Sequence, residues 1–209
     1  MYNIYFGKRS ISLIGYNEVE VKNPNSVILY ADNTFNYDIV LNLLQNSPSI
    51  NDIRIYLKEG SDLEAAFGQL CSCFCEINAG GGLVRGCKGD YLFIYRYDVW
   101  DLPKGVQERD EEISQTALRE VKEECGIEEL ELKEKICTTH HCYWREGKFM
   151  LKHTHWFQMQ YTGKYLPVPQ EEEDITRAKW VSPNKIEEHV RGTYPSIQEV
   201  LKRSNLLDS

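Results

Sequence analysis

The sequence predicts a mixed α/β (α+β) chain in two parts: a small α/β unit over residues 1–75 and a larger domain over residues 76–209. Three observations carry this expectation. Runs of alternating apolar and polar residues recur at strand length, separated by Gly-, Asn- and Asp-bearing turns. Between them lie segments with apolar residues at helical spacing, the longest at about Ile113–Cys125. The stretch Asn78-Ala79-Gly80-Gly81-Gly82 interrupts the chain and reads as a flexible joint or the start of a strand.

Taken in order, residues 1–15 alternate around Gly7-Lys8-Arg9 and predict a hairpin. Ser26–Tyr30 reads as a strand. Tyr37–Leu44 has helical spacing (Ile39, Val40, Leu43, Leu44), with Asn36 as its cap. Ile53–Leu57 alternates as a short strand. Ser61 then caps an amphipathic helix carrying Leu63, Ala66, Phe67 and Leu70. Strands follow at Gly82–Gly86 and Tyr91–Tyr95, joined by a turn with Lys88-Gly89-Asp90. After the loop Asp98–Gly105 comes the long helix. Alternating strands fill about 129–162, turning at Arg145-Glu146-Gly147-Lys148. Trp180-Val181 closes another strand. Ser182 caps a helix with Pro183 at its first position, and a last helix covers about Ser196–Leu201.

The chain has 209 residues, enough for one large domain or two small ones with a real core. Its net charge is −8 and its pI about 5.2. So acidic a chain has no general footprint for nucleic acid or an anionic membrane, and neither is expected as a partner. A polyanionic substrate would need a local inversion of charge, which a bound divalent cation supplies. The N-terminal residues lack the basic segment and apolar run of a signal peptide, and no apolar stretch approaches the ~20 residues that span a bilayer. A cytoplasmic location is the expectation. Seven cysteines, an odd number without a CxxC pair, predict free buried thiols and no disulfide framework.

The chemistry concentrates on the long helix. Ile113, Ala117, Leu118, Val121 and Cys125 form one apolar stripe. Glu120, Glu123 and Glu124 stand at i, i+3 and i+4 and cluster on an adjacent face. Each like-charge pair at that spacing costs roughly 0.2–0.5 kcal/mol. The cluster also lies toward the helix C-terminus, where the macrodipole disfavours anions. It reads as locally unfavourable unless a cation occupies it, since Lys122 points elsewhere. Oxygen-only ligands select a hard ion, Mg²⁺ or Mn²⁺. Gly105, without a side chain, lets the backbone approach an ion or a phosphate, and Gly126 suits a left-handed cap.

The stretch from Gly105 to Ile127 resembles the Nudix signature, G-x5-E-x7-R-E-U-x-E-E-x-G-U with U a bulky apolar residue. Gly105, Glu111, Arg119, Glu120, Val121, Glu123, Glu124, Gly126 and Ile127 occupy all its specified positions. The resemblance covers about residues 78–209 and implies a Nudix α/β/α sandwich with a mixed sheet. It implies that Glu120, Glu123 and Glu124 bind catalytic divalent ions, with the Gly105 carbonyl in the coordination shell. Glu111 and Arg119 are implied to brace the loop against the helix. The implied reaction is metal-dependent attack of water at one phosphorus of a nucleoside diphosphate linked to another group. Glu124 is the expected general base, with a carboxylate from a later loop as its rival. That loop is Gln170–Asp174, where Glu173 or Asp174 would supply the group.

Leu102-Pro103-Lys104-Gly105 resembles the start of the box in dinucleoside-polyphosphate, nucleotide and diphosphoinositol hydrolases of the superfamily. Lys104 is thereby a candidate phosphate contact. Tyr143, sixteen residues beyond Ile127, falls where the dinucleoside-polyphosphate members carry a base-stacking tyrosine, although a packing residue of a strand fits equally. The partner so implied is a small-molecule nucleoside diphosphate derivative. A homodimer is one assembly left open for residues 1–75. A Nudix-fold module that senses a nucleotide is the alternative function. Such modules lose box carboxylates, which this chain keeps. An isoprenoid diphosphate isomerase has no matching cysteine–glutamate pair here. His140, His141, His153 and His155 read as strand residues in preference to a zinc site. Cys71, Cys73 and Cys75 would spread around a helix. Gly81 and Gly86 have P-loop spacing, but Cys87 stands where lysine is required.

Overall fold

The computed structural model describes residues 1–20 and 24–208, and their contacts divide the chain into two units. The first takes residues 1–76 together with 140–152; the second takes 77–139 and 153 onward.

In the first unit, β1 (Tyr2–Phe6) and β2 (Arg9–Ile14) form the expected antiparallel hairpin, turning at Gly7. β3 (Ser26–Ala31) and β4 (Asp52–Leu57) follow, with α1 (Asp38–Asn46) between them and α2 (Leu63–Cys71) after them. β4 lies between β2 and β3 and runs parallel to both. Ile11, Leu13, Ile53 and Ile55 alternate inward from these strands and pack on Val40, Leu44 and Leu70 of the helices. The Arg9 guanidinium donates to the carbonyls of Leu44 (2.8 Å), Ile50 (2.7 Å) and Ser47 (3.1 Å). It thereby satisfies acceptors that the end of α1 leaves open, where a cation is also favoured by the helix dipole. The caps differ from expectation. Asp62, not Ser61, caps α2 by accepting from the Ala65 amide at 2.9 Å, a stronger acceptor one residue nearer the helix. Asn36 accepts from the Asp38 amide at 2.9 Å, while Tyr37 holds the N-cap position.

The second unit contains β5 (Cys75–Arg85), which starts at the end of the first, then β6 (Tyr91–Arg96), β7 (Val99–Asp101) and β8 (Lys104–Val106). The helix α3 (Ile113–Cys125) precedes the long hairpin of β9 (Leu130–Arg145) and β10 (Lys148–Tyr161). β11 (Ile175–Val181), α4 (Ile186–His189) and α5 (Pro195–Arg203) complete it. The strand order is β11-β6-β5-β10-β9, with β7 on β6 and β8 on β5. One face of this sheet (Val84, Leu92, Ile94, Phe157, Met159) packs on Ala117, Val121 and Cys125 of α3. The other (Leu83, Phe93, Trp156) packs on Ile186, Ile197, Val200 and Leu201 of the C-terminal helices. This is the α/β/α sandwich that the resemblance implies.

Three local expectations are refined. Of the two readings of the glycine run, joint or strand start, the structure takes the strand, and the run lies inside β5. A Cβ on Gly80 would come within 2.6 Å of the Ala117 amide nitrogen, and one on Gly81 within 2.6 Å of the Trp156 ring. The glycines let the helix and a tryptophan close onto the strand. The loop Asp98–Gly105 contains β7 and the start of β8, each strand three residues long and too short for an alternation to show. The β9–β10 hairpin is long enough for its distal half to join the first unit: Ile4 pairs with His140, and Cys142, Phe149 and Leu151 enter that unit's core. All seven cysteines are free, with Cys71, Cys125 and Cys142 buried. Among the described residues no helix is long and apolar enough to cross a membrane.

Candidate active site

The loop from Gly105 to Glu112 delivers the chain into α3. A capping box closes the helix start: the Glu112 carboxylate accepts from the Gln115 amide, and Gln115 Oε1 accepts from the Glu112 amide at 3.1 Å. Gly126 closes the other end at φ 60°. Burial of Ala117, Val121 and Cys125 fixes the rotation of the helix, so Glu120 and Glu124 turn toward β8 and are themselves buried. Glu123 stays at the rim with half its side chain exposed.

Arg119 is the hub of the cluster. It grips Glu111 with two bonds, Nε to Oε1 at 2.9 Å and Nη2 to Oε2 at 3.0 Å. Its Nη1 donates to Glu120 Oε1 at 2.8 Å and to Glu123 Oε2 at 3.0 Å, and Nη2 reaches the Val106 carbonyl at 3.1 Å. Glu111 also accepts from Thr116 Oγ1 at 2.7 Å. Arg119 above all, and Thr116 after it, hold the Glu111 carboxyl at a pKa of about 2. The loop is thus tied to the helix by a forked, charge-assisted pair.

The three helix carboxylates are less isolated than their spacing suggests. Arg119 sits on Glu120 and Glu123, while Lys122 turns away to Glu128 at 2.9 Å. Glu120 lies against the α-carbon of Gly105; a Cβ there would overlap its carboxylate. Burial raises the Glu120 pKa, with Arg119 opposing. Glu124 is fully buried. Its Oε2 accepts from the Lys104 amide at 2.9 Å, while its Oε1 has no hydrogen-bond partner. Desolvation pushes its pKa up to about 7 against the pull of Lys104.

Two residues that the sequence reading did not single out complete the surroundings. Arg96, at the end of β6, places Nη1 3.6 Å from Glu124 Oε1 and Nη2 3.4 Å from Glu173 Oε2. Asp101 takes Lys104 Nζ at 2.6 Å. Burial disfavours the Lys104 charge, but Asp101 and Glu124 outweigh it and the pKa rises. A cation closing the apolar strand Tyr91–Arg96 was the available signal for Arg96; Asp101 carried none in isolation. Lys104 therefore reaches the site through its amide, and its ammonium is held by Asp101. Of the two loop acids, Glu173 meets the arginine that also faces Glu124, whereas Asp174 accepts from Tyr97 Oη at 3.2 Å. Tyr143 belongs to the first unit, where its ring stacks on His141 at 5.8 Å and lies under Lys152 Nζ. His140 is buried against Tyr2 and Phe67, and His155 meets Lys135 Nζ and Thr138 Oγ1.

The model of the NUDIX domain matches residues 78–202, which is more than half of the chain. Solved structures with a similar fold include a binary complex of Ap4A hydrolase from C. elegans, at 21% identity over 62% of this chain and 95% of that one, with a TM-score of 0.49. A MutT protein from Methanosarcina mazei Go1 shares 23% identity over 63% and 94% of the two chains, with a TM-score of 0.49. A Nudix hydrolase from M. smegmatis shares 17% over 63% and 88%, with a TM-score of 0.47. With the family's domain spanning the second unit's sheet and the helix that carries its carboxylates, the chain belongs to the NUDIX domain family and is a Nudix-type pyrophosphohydrolase.

Proposed function

We propose that the chain hydrolyses a diphosphate linkage in a nucleoside diphosphate joined to another moiety, by attack of water at phosphorus in the presence of Mg²⁺ or Mn²⁺. The observation that carries this reading is the pocket of oxygens at β8 and α3. Glu120 fills the space over the bare α-carbon of Gly105, and beside it Glu124 keeps one buried oxygen without a partner. An all-oxygen donor set with an unsatisfied buried acceptor fits a hard divalent ion. Glu120, Glu123, Glu124 and the Gly105 carbonyl would hold it, with Glu173 as a further ligand. When bound, such an ion neutralises phosphate charge and acidifies a water.

The chain's own groups supply the rest. Glu124 Oε2 is fixed by the Lys104 amide, so Oε1 is the atom it presents to the site, for the ion or for a proton from water. In the metal-free chain desolvation raises this carboxyl to about 7, and a bound dication would lower it toward the ionised form. Arg119 holds Glu111, and through it the loop, against the helix. Arg96 lies between Glu124 and Glu173, where a guanidinium can meet phosphate oxygens.

The test is a panel of dinucleoside polyphosphates, nucleotide sugars, ADP-ribose, NADH and nucleoside triphosphates, assayed for phosphate or nucleotide release with Mg²⁺ or Mn²⁺. EDTA should abolish turnover and either ion restore it. Glu123→Gln should lower turnover by orders of magnitude with the fold intact. Activity indifferent to EDTA, or a near-wild-type Glu123→Gln enzyme, overturns the assignment. A blank panel with the ion bound would favour a nucleotide-sensing module.

A further inference from the structure

The second unit carries another concave site, at the opposite end of its sheet from Gly105. Gly105 pairs with Gly80 of β5, and Gly86 lies six residues further on. At a strand rise of roughly 3.3 Å per residue this is about 20 Å away. A groove of about 420 Å³ opens there, lined by Cys87, Lys88, Lys164, Tyr165, Leu166 and Trp180 among others. Small-molecule sites occupy roughly 300–1,000 Å³ and combine apolar walls with a few polar groups, and this groove does both.

Its walls are preformed. The Tyr161 ring stacks on Trp180 with centroids 5.5 Å apart and planes 21° apart. Tyr161 Oη donates to the Tyr165 carbonyl at 3.1 Å and accepts from the Tyr165 amide at 3.0 Å, which pins the turn after β10. Both walls close in at glycines. A Cβ on Gly86 would come within 2.6 Å of Asp90 Oδ1 and 3.2 Å of the Trp180 ring, and one on Gly163 within 2.5 Å of both Glu129 Oε2 and Tyr161 Oη.

Two features of the groove ask for an occupant. Tyr165 and Leu166 are 74% and 79% exposed, an apolar lip that a bound ring would cover. Lys88 and Lys164 form no ion pair among the described residues, and Asp90 is the one carboxylate in the lining. Glu129 Oε2 also stands beside Gly163 and Arg85 Nη2 beside Gly89, so three cations face two carboxylates here in a chain of net charge −8. We infer that the groove is a second ligand site for an aromatic ring bearing a phosphate, of the size of a nucleoside monophosphate. The ring lies against Trp180 and Leu166, and Lys88 and Lys164 meet the phosphate. The inference does not depend on the reading of the carboxylate site.

The experiment is a titration of ¹⁵N-labelled full-length chain with AMP in EDTA, with adenosine and inorganic phosphate as separate arms. Saturable shifts are expected at residues 86–90 and 162–166 and at the Trp180 indole, with adenosine weaker than AMP and phosphate weaker still. The double variant Lys88→Glu, Lys164→Glu should weaken AMP by about tenfold or more and leave adenosine unchanged. Leu166→Asp should weaken both. These exposed positions leave the fold unaltered, which the unshifted remainder of each spectrum verifies. Absence of saturable shifts at millimolar AMP, shifts confined to residues 105–127, or a double variant that binds AMP undiminished would each overturn the proposal.

Discussion

Substituting Gly105 with alanine isolates the feature on which the proposed ion site depends. The residue's φ is not positive, so alanine meets no intrinsic backbone penalty there. The added methyl group instead overlaps the Glu120 carboxylate, the nearest atoms to it. Van der Waals separation requires that carboxylate to withdraw by at least ~1 Å. Glu120 is buried and held by Arg119 Nη1, so the displacement also strains that bond. Overpacking of this kind costs about 1–3 kcal/mol of stability, which leaves the domain folded. The effect on turnover is larger: a misplacement of ~1 Å in a catalytic constellation costs on the order of 10²-fold. Two measurements are paired, kcat with a responsive substrate and affinity for Mn²⁺ by calorimetry or paramagnetic relaxation. Gly105→Ala should lose both, with chemical denaturation showing only the modest change. Retention of wild-type Mn²⁺ affinity alongside lost turnover would refute the idea that Gly105 makes room for Glu120 as an ion ligand; retention of both would refute the site.

Other expectations follow from the same contacts. Glu124→Gln should reduce turnover by roughly 10²–10³-fold, equivalent to ~2.7–4 kcal/mol of lost electrostatic stabilisation. In EDTA, the wild-type Glu124 carboxyl has a folded pKa of about 7 against an ordinary value of 4.5. The native state therefore binds the extra proton between those values, and this contribution to stability is full below pH 4.5 and is lost as pH rises through 7. Melting curves across that range should show the loss in the wild type and not in Glu124→Gln. Arg119→Ala should destabilise the metal-free protein by roughly 2–4 kcal/mol, because three carboxylates lose a shared partner that is only a quarter exposed; urea titration checks it, and no loss would mean the hub is dispensable. His155 should titrate near pH 4 by NMR, since burial holds its ring neutral with Lys135 adding to the effect, and a midpoint near 6.5 would contradict the packing around it.

Much of the second unit was legible because its signals are periodic. The α3 stripe and the alternation of β9 and β10 each repeat over a dozen residues or more, and the structure keeps both. What escaped was short or depended on neighbours distant in sequence. β7 and β8 hold three residues each, and their pairing with β6 and β5 cannot be read locally. Gly80–Gly82 could be read as a joint or as the start of a strand, because the residues that require them, Ala117, Trp156 and Met159, lie far along the chain. The caps of the first unit slipped by one residue, where Ser61 and Asp62 are both capable acceptors and only geometry selects Asp62. Arg96 and Asp101 had no motif; their place beside Glu124 and Lys104 comes from the crossing of β6, β7 and β8.

The charge cluster shows where a sequence inference needs structure to choose between causes. Glu120, Glu123 and Glu124 read as unfavourable without a cation, and a divalent ion was the cation in view. The protein carries three cations of its own there, and Lys104, although paired with Asp101, also pulls on Glu124. Arg119 serves Glu120 and Glu123, and Arg96 approaches Glu124 at 3.6 Å. Clustering alone therefore does not distinguish an ion site from a self-compensated network. Glu124 does, because its demand is not met by what surrounds it. At 3.6 Å Arg96 offers attraction without a hydrogen bond, and Oε1 remains buried and unsatisfied. Leaving such an oxygen costs about 1–3 kcal/mol or more. Moving Arg96 closer would satisfy it, at the expense of Glu173. A residue whose desolvation is retained while a compensating cation stands within reach is the strongest physical pointer to a group that binds in between.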